Sequence, residues 1–187
     1  MNTRRRHRHF LGFAVLACAI ALAGWSLARA QDKSTDTQSL KGKPAPDFSL
    51  QTLDGKTVTL SEQRGSVVLL DFWATWCGPC VAALPHVQQI SADKDLAERG
   101  LKVWAVNARE KNEQVEKFIK QNNYTFTVPM DADGKVLQQY LVRGIPTQVI
   151  VGRDGTIKDV FIGFGGEESA KRLHDAIEAA LKEGGST

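Results

Sequence analysis

The chain of 187 residues has only three cysteines, and no second C-x-x-C accompanies the pair at Cys77 and Cys80. That scarcity argues against a zinc module, because a four-ligand site needs further ligands at matched spacing and His86 and His174 do not supply it. A structural disulfide is equally poor as an explanation, since closing so short a loop removes almost no entropy from the unfolded chain. No internal repeat and no low-complexity tract is present. Acidic residues are missing from the first thirty positions, which hold Arg4, Arg5, Arg6, Arg8 and Arg29. Removing these five from the 24 basic residues leaves 19 against 21 acidic ones, so the net +3 belongs to the leader. No basic patch of the kind that binds nucleic acid remains, and neither a metal nor a nucleic-acid partner is expected.

What the leader does contain is informative. After the arginines, Phe10 to Leu22 is apolar, and Ala28-Arg29-Ala30 has the small-x-small form of a cleavage signal. Phe10 to Leu27 is 18 residues without a charge, the lower edge of a bilayer span. Residues 1–30 therefore read as a signal peptide or an N-terminal membrane anchor. Either places the rest on the periplasmic or extracytoplasmic face. Val15-Leu16-Ala17-Cys18 is close to a lipoprotein box, but Leu16 is bulky where a small residue is needed, so Cys18 reads as a small hydrophobe. Residues 31–43 are polar and read as a linker, and the folded domain is expected over residues 44–187.

Within that domain, Val67, Val68, Leu69 and Leu70 form a continuous apolar run that predicts a strand buried on both faces. Leu84, Val87 and Ile90 then recur at helical spacing. Cys77 and Cys80 thus fall on the first turn of a helix, where unsatisfied N–H groups and the positive end of the dipole favour a thiolate. The thiolate is the form that attacks disulfides, so the pair reads as redox-active. The helix is expected to run to about Arg99 and stop at Gly100. Further strands are expected at Leu101–Asn107, Gln148–Val151 and Thr156–Phe161, with helices around Val115 to Ile119, Val136 to Tyr140 and Leu173 to Leu181. A hairpin is expected about Asp54-Gly55. Strands alternating with helices, then a hairpin and a closing helix, imply an α/β fold with a central mixed sheet flanked by helices.

Trp76-Cys77-Gly78-Pro79-Cys80 resembles the active-site motif of thioredoxins, and Gly144-Ile145-Pro146-Thr147 resembles the thioredoxin segment with a cis Ile-Pro bond. Together with Ala45-Pro46-Asp47-Phe48 and Ala105-Val106-Asn107, they make the chain similar to the TlpA/ResA branch of exported thiol-disulfide oxidoreductases. The resemblance implies a thioredoxin-like fold with an N-terminal β extension and an inserted strand-helix unit at about residues 101–126. It implies catalysis by Cys77, the attacking thiol, and Cys80, the resolving one, with no cofactor beyond their own disulfide. Trp76, Gly78, Pro79, Ile145 and Pro146 would bind substrate, Ile145 offering main-chain groups to an extended strand.

Asp71 needs its own account, because a carboxylate in an apolar strand is expensive to bury unpaired. The resemblance implies that it lies beneath the cysteines and relays the proton of Cys80, its pKa raised by burial. Members of the branch with a Glu three positions after the second Cys have no counterpart here, where Ala83 stands. Arg109, Glu110 and Lys111 read as the start of a solvated helix. The implied partners are protein disulfides, apocytochrome c among them, and a membrane thiol-transfer reductant. Two alternatives remain open at this point. One is a peroxiredoxin-like thiol peroxidase, although Ala74 stands where its Thr-x-x-Cys would require threonine. The other is a non-enzymatic copper chaperone of thioredoxin fold, for which the cysteine spacing is one residue short.

Overall fold

The computed structural model describes residues 36–183. The signal peptide or anchor expected over residues 1–30, with Cys18, and residues 31–35 lie outside them. Residues 36–43 correct the expectation of a linker ending at Lys43. Thr37–Leu40 forms a 3-10 turn with Thr37 buried. Gln38 donates to Val160 O at 2.9 Å, Gly42 N to Ile157 O at 2.8 Å and Ile157 N to Lys43 O at 2.9 Å. Backbone pairing of this kind makes the segment part of the folded unit, whatever its polarity.

Strands β1 (Ser49–Gln51) and β2 (Thr57–Thr59) make the expected hairpin. Its turn holds Gly55 at φ +84°, a left-handed conformation that glycine adopts without strain. The main sheet has five strands in the order β5-β4-β3-β6-β7. They are β3 (Val67–Trp73), β4 (Leu101–Ala108), β5 (Met130–Asp131), β6 (Thr147–Val151) and β7 (Ile157–Ile162). β3 is parallel to β4 and antiparallel to β6, so the sheet is mixed as expected. All seven residues of β3 are buried, because helices and the hairpin cover both faces. Each large apolar side chain there contributes about 2 kcal/mol by leaving water.

The two-residue alternation of β3 divides the core. Val67, Leu69 and Trp73 point toward a cluster with Leu84 and Val87 of α1 (Gly78–Ala92), Leu96 of α2 (Lys94–Glu98) and Val115 of α3 (Asn112–Asn122). Val68, Leu70 and Phe72 point the other way, toward Phe48, Trp104 and the residues Val136 and Tyr140 in and after α4 (Lys135–Gln139). The last helix, α5 (Glu167–Lys182), returns to the first face through Leu173 and Ile177. Asp71 and Cys80 therefore belong to the same face.

The helix expected to reach Arg99 breaks earlier. Asp93 adopts an extended backbone (φ −72°, ψ 112°), ends α1, and accepts a hydrogen bond from Leu96 N at 3.2 Å to begin α2. Its side chain competes with the backbone for helix N–H groups, which is why aspartate favours caps over interiors. Pro85 lies inside α1 as expected. Residues 101–126 form β4 and α3, and the chain then passes into the edge strand β5.

Candidate active site

Cys77 is the N-cap of α1, and Gly78 and Pro79 are its first two residues. Proline fits there because the first N–H groups of a helix have no intrahelical partner. The N–H of Cys80 donates to Cys77 Sγ at 3.2 Å. That contact adds to the helix dipole in favouring negative charge on the Cys77 sulfur. The two cysteines are joined in a disulfide. Cys77 is 5 % exposed and Cys80 1 %, so the order of access is as expected, but Cys77 is far more covered than an open helix mouth suggests.

The Ile145-Pro146 peptide is cis, and Ile145 O stands 3.6 Å from Cys77 Sγ. Gly144 before it is exposed and Pro146 buried, so the chain presents main-chain groups at the surface directly beside the sulfur. Trp76 is 70 % exposed, one of two large apolar side chains so open among the described residues. The other, Ile162, is paired with Thr147, the residue after the cis proline. Trp76, Gly78, Pro79 and Ile145 line a groove of about 580 Å³ with Cys77. Pro146 lies beneath rather than in that wall. The groove also takes in Ala108, Arg109, Leu137, Val142 and Arg143, none of which the sequence had marked as site residues.

Asp71 is 1 % exposed on the face shared with Cys80. Neither of its oxygens has a hydrogen-bond partner. Burial pushes its carboxyl from 3.8 up to about 7, while the Gln148 side chain opposite on β6 pulls weakly the other way without reaching ordinary bonding geometry. A group that binds and releases a proton near neutrality suits relay between thiol and thiolate.

Glu110 overturns its expectation. Instead of starting a solvated helix it is 7 % exposed, and α3 begins only at Asn112. Thr75 N donates to it at 2.7 Å, Thr75 Oγ1 at 2.5 Å and Asn107 Nδ2 at 2.8 Å. It anchors the loop that carries Trp76 and Cys77. A signal existed in Asn107, a buried amide at the end of an apolar strand, which needs a partner as much as Asp71 does. Ala83, in the place of the branch's helix glutamate, is buried and apolar. His86 is a packing residue, its ring centroid 5.4 Å from that of Phe164.

A dithiol-disulfide pair at a helix start, beside a cis proline on a five-stranded mixed sheet, defines a thiol-disulfide oxidoreductase of thioredoxin-like fold. Residues 41–160 match the AhpC/TSA family, and the chain belongs to that family. It is 31 % identical over 160 residues to the thiol-disulfide oxidoreductase ResA of Bacillus subtilis, covering 86 % of this chain and 88 % of that one. Among solved structures, it resembles a Chlorobium tepidum protein described as a thiol:disulfide interchange protein DsbE, with TM-score 0.70 and 40 % identity over 75 % of this chain and 97 % of that one. StoA of Bacillus subtilis is similar at TM-score 0.58 and 30 % identity, covering 71 % and 96 %.

Proposed function

We propose that this chain is an extracytoplasmic reductase of protein disulfides, acting through Cys77 and Cys80 with Asp71 as proton relay. The observation that carries the reading is the placement of the Cys77 sulfur between the Cys80 N–H and Ile145 O, at 3.2 and 3.6 Å. In the reduced protein, the Cys77 thiolate attacks one sulfur of a substrate disulfide, forming a mixed disulfide and releasing the other sulfur as a thiolate. Cys80 gives its proton toward Asp71 and attacks Cys77 Sγ. The Cys77–Cys80 bond forms, the second substrate sulfur leaves, and two electrons have passed to substrate. Trp76, Gly78, Pro79 and Ile145 hold the substrate strand in the groove, with Pro146 fixing the turn that presents Ile145.

The direction follows from the two residues between the cysteines. Gly78 and Pro79 provide no cation or imidazole to hold the thiolate strongly, so the potential belongs near the thioredoxin value of about −270 mV rather than that of strong oxidants. A reductant outside the cytoplasm must be recharged by a thiol carrier in the membrane, and the arginine-led apolar leader supports placing it there. Substrates of the C-x-x-C type in apocytochrome c suit a ResA relative. The peroxidase alternative has little support from the site: Ala74 is buried without a hydroxyl, and the Thr75 hydroxyl is bonded to Glu110.

Equilibration in glutathione buffers, with thiols counted by alkylation mass, should show one two-electron couple lost in Cys77→Ser. Cys80→Ala should accumulate mixed disulfides on Cys77, including cytochrome precursors. Absence of a reversible couple overturns the reading, and a trapped set without cytochrome precursors overturns only the narrower role.

A further inference from the structure

The groove beside Cys77 is charged in one direction only. Two arginines, Arg109 and Arg143, are among its eleven lining residues, and none of the eleven is Asp or Glu. Beyond the leader the protein carries 19 basic against 21 acidic residues, so this local excess runs against the whole. Arg109 is exposed, and among the described residues its guanidinium has no hydrogen bond or ion pair. Three carboxylates beside it, one next in sequence and two on the turn of residues 131–134 that it lies against, are engaged with other groups. Glu110 holds Thr75 and Asn107, Asp131 accepts from Val136 N and Leu137 N, and Asp133 pairs with Lys135 at 2.6 Å.

The position of Arg109 is built rather than incidental. Its backbone lies at φ +60°, a left-handed conformation that residues other than glycine seldom adopt. Its N–H donates to Asp131 O at 3.0 Å, which holds that turn in place. Its side chain lies across Gly134, where any Cβ would collide with Arg109 Nε. A glycine at 134 therefore makes room for the arginine at the groove.

We infer that the groove selects disulfides whose cysteine has Asp or Glu two residues before or after it, with Arg109 reading the carboxylate. This rests on the reductase reading and names the substrate class for the same site. An extended segment paired along Ile145 brings its cysteine to Cys77, and side chains two positions away lie on the same side of the strand. The chemistry of exchange is unchanged. Arg109 alters which segments dock, through attraction to acids and repulsion of bases.

The test uses the reduced full chain and three peptides of one sequence, with Glu, Gln or Lys two residues from a cysteine held as its disulfide with 2-mercaptoethanol. At low salt the Glu peptide should be reduced about fivefold faster than the Lys peptide, the scale of one exposed charge pair. The ratio should collapse in about 1 M salt, where the Debye length is about 3 Å. Arg109→Gln should bring the low-salt ratio close to one, and Gly134→Ala should lower it with the arginine retained. Lys117→Gln, an equal charge change outside the groove, should leave the ratio as it was. Equal rates for the Glu and Lys peptides, or a ratio that survives Arg109→Gln, overturns this inference while the reductase reading stands. Failure to reduce even the Gln peptide overturns both.

Discussion

Two aspartates lie almost fully buried on opposite faces of one sheet, Asp71 at 1 % exposure and Asp131 at 0 %. Asp131 accepts hydrogen bonds from Val136 N at 3.2 Å and Leu137 N at 2.8 Å, capping α4 from the edge strand. Asp71 accepts none. Burial alone therefore does not define the site, since both residues share it. What separates them is that one carboxylate is supplied with the donors its charge needs and the other, on the face shared with Cys80, is buried without any. The same asymmetry extends along the sheet. On the cysteine face, Asn107 Oδ1 is also buried without a partner, whereas on the opposite face the Tyr140 hydroxyl donates to Pro46 O at 2.8 Å. Unsatisfied polar atoms in a native core cost stability; those on the strands of this sheet lie on the cysteine face, and the other two, Asp36 Oδ1 and Arg153 Nε, lie in loops outside it.

The largest effect expected from breaking this contrast is at Asp71. Its folded pKa, about 7, lies above its ordinary 3.8, so the folded state holds the proton more tightly than the unfolded chain. Stability is then fullest below about pH 4 and declines as pH rises toward 7, above which the whole cost of the buried charge is present. Three units at 1.36 kcal/mol each set that cost at no more than about 4 kcal/mol. Asp71→Asn should leave the oxidised protein's urea midpoint nearly flat between pH 5 and 8.5 and raise it most at pH 8.5. The same variant should slow release of the mixed disulfide near neutral pH. A parent protein whose midpoint does not fall across this range would mean that Asp71 is not the proton-holding group.

Asp131 should respond in the opposite sense. Asp131→Ala removes the acceptor for two helix N–H groups in a buried place, at a cost of about 2 kcal/mol in urea unfolding at pH 7. Because Leu137 lines the groove, docking of substrate should weaken as well, whereas the Cys77–Cys80 potential should be unmoved. A stabilising Asp131→Ala would erase the distinction drawn between the two faces.

Much of this arrangement is legible before any coordinates. The apolar run Val67–Leu70 followed by period-3.6 spacing places Cys77 and Cys80 at a helix start, while the place of Asp71 near them was implied only by the resemblance to thioredoxins. Local patterns of this kind carry far because burial enforces them. Less legible were features made by distant partners. Residues 36–43 are polar and look unattached, yet backbone groups of β7 pair with them. Asp93 sits in an otherwise helical stretch, and its capping bond to Leu96 decides where the axis breaks. Glu110 stands between two cations, and its burial depends on Thr75, 35 residues earlier in the chain. The groove residues Arg109 and Arg143 come from separate loops that only the fold brings together.

Glu110 supplies the smallest and most discriminating test of the contrast, because it is a buried carboxylate on the active-site side that does have donors. Thr75 N and Asn107 Nδ2 both reach Oε2, whereas only the Thr75 hydroxyl reaches Oε1. A hydroxyl can accept as well as donate. Glutamine placed with its oxygen at Oε2 keeps the first two bonds, and its NH2 donates to the Thr75 oxygen in place of the third. Glu110→Gln should therefore cost no more than about 1 kcal/mol, while Glu110→Ala removes the acceptor of all three donors and should cost about 2 to 3 kcal/mol. Urea unfolding of the oxidised proteins distinguishes the two. If Gln proves as damaging as Ala, the charge of Glu110 matters in its own right, and the division between a bonded structural carboxylate and an unbonded reactive one at Asp71 no longer holds on this face.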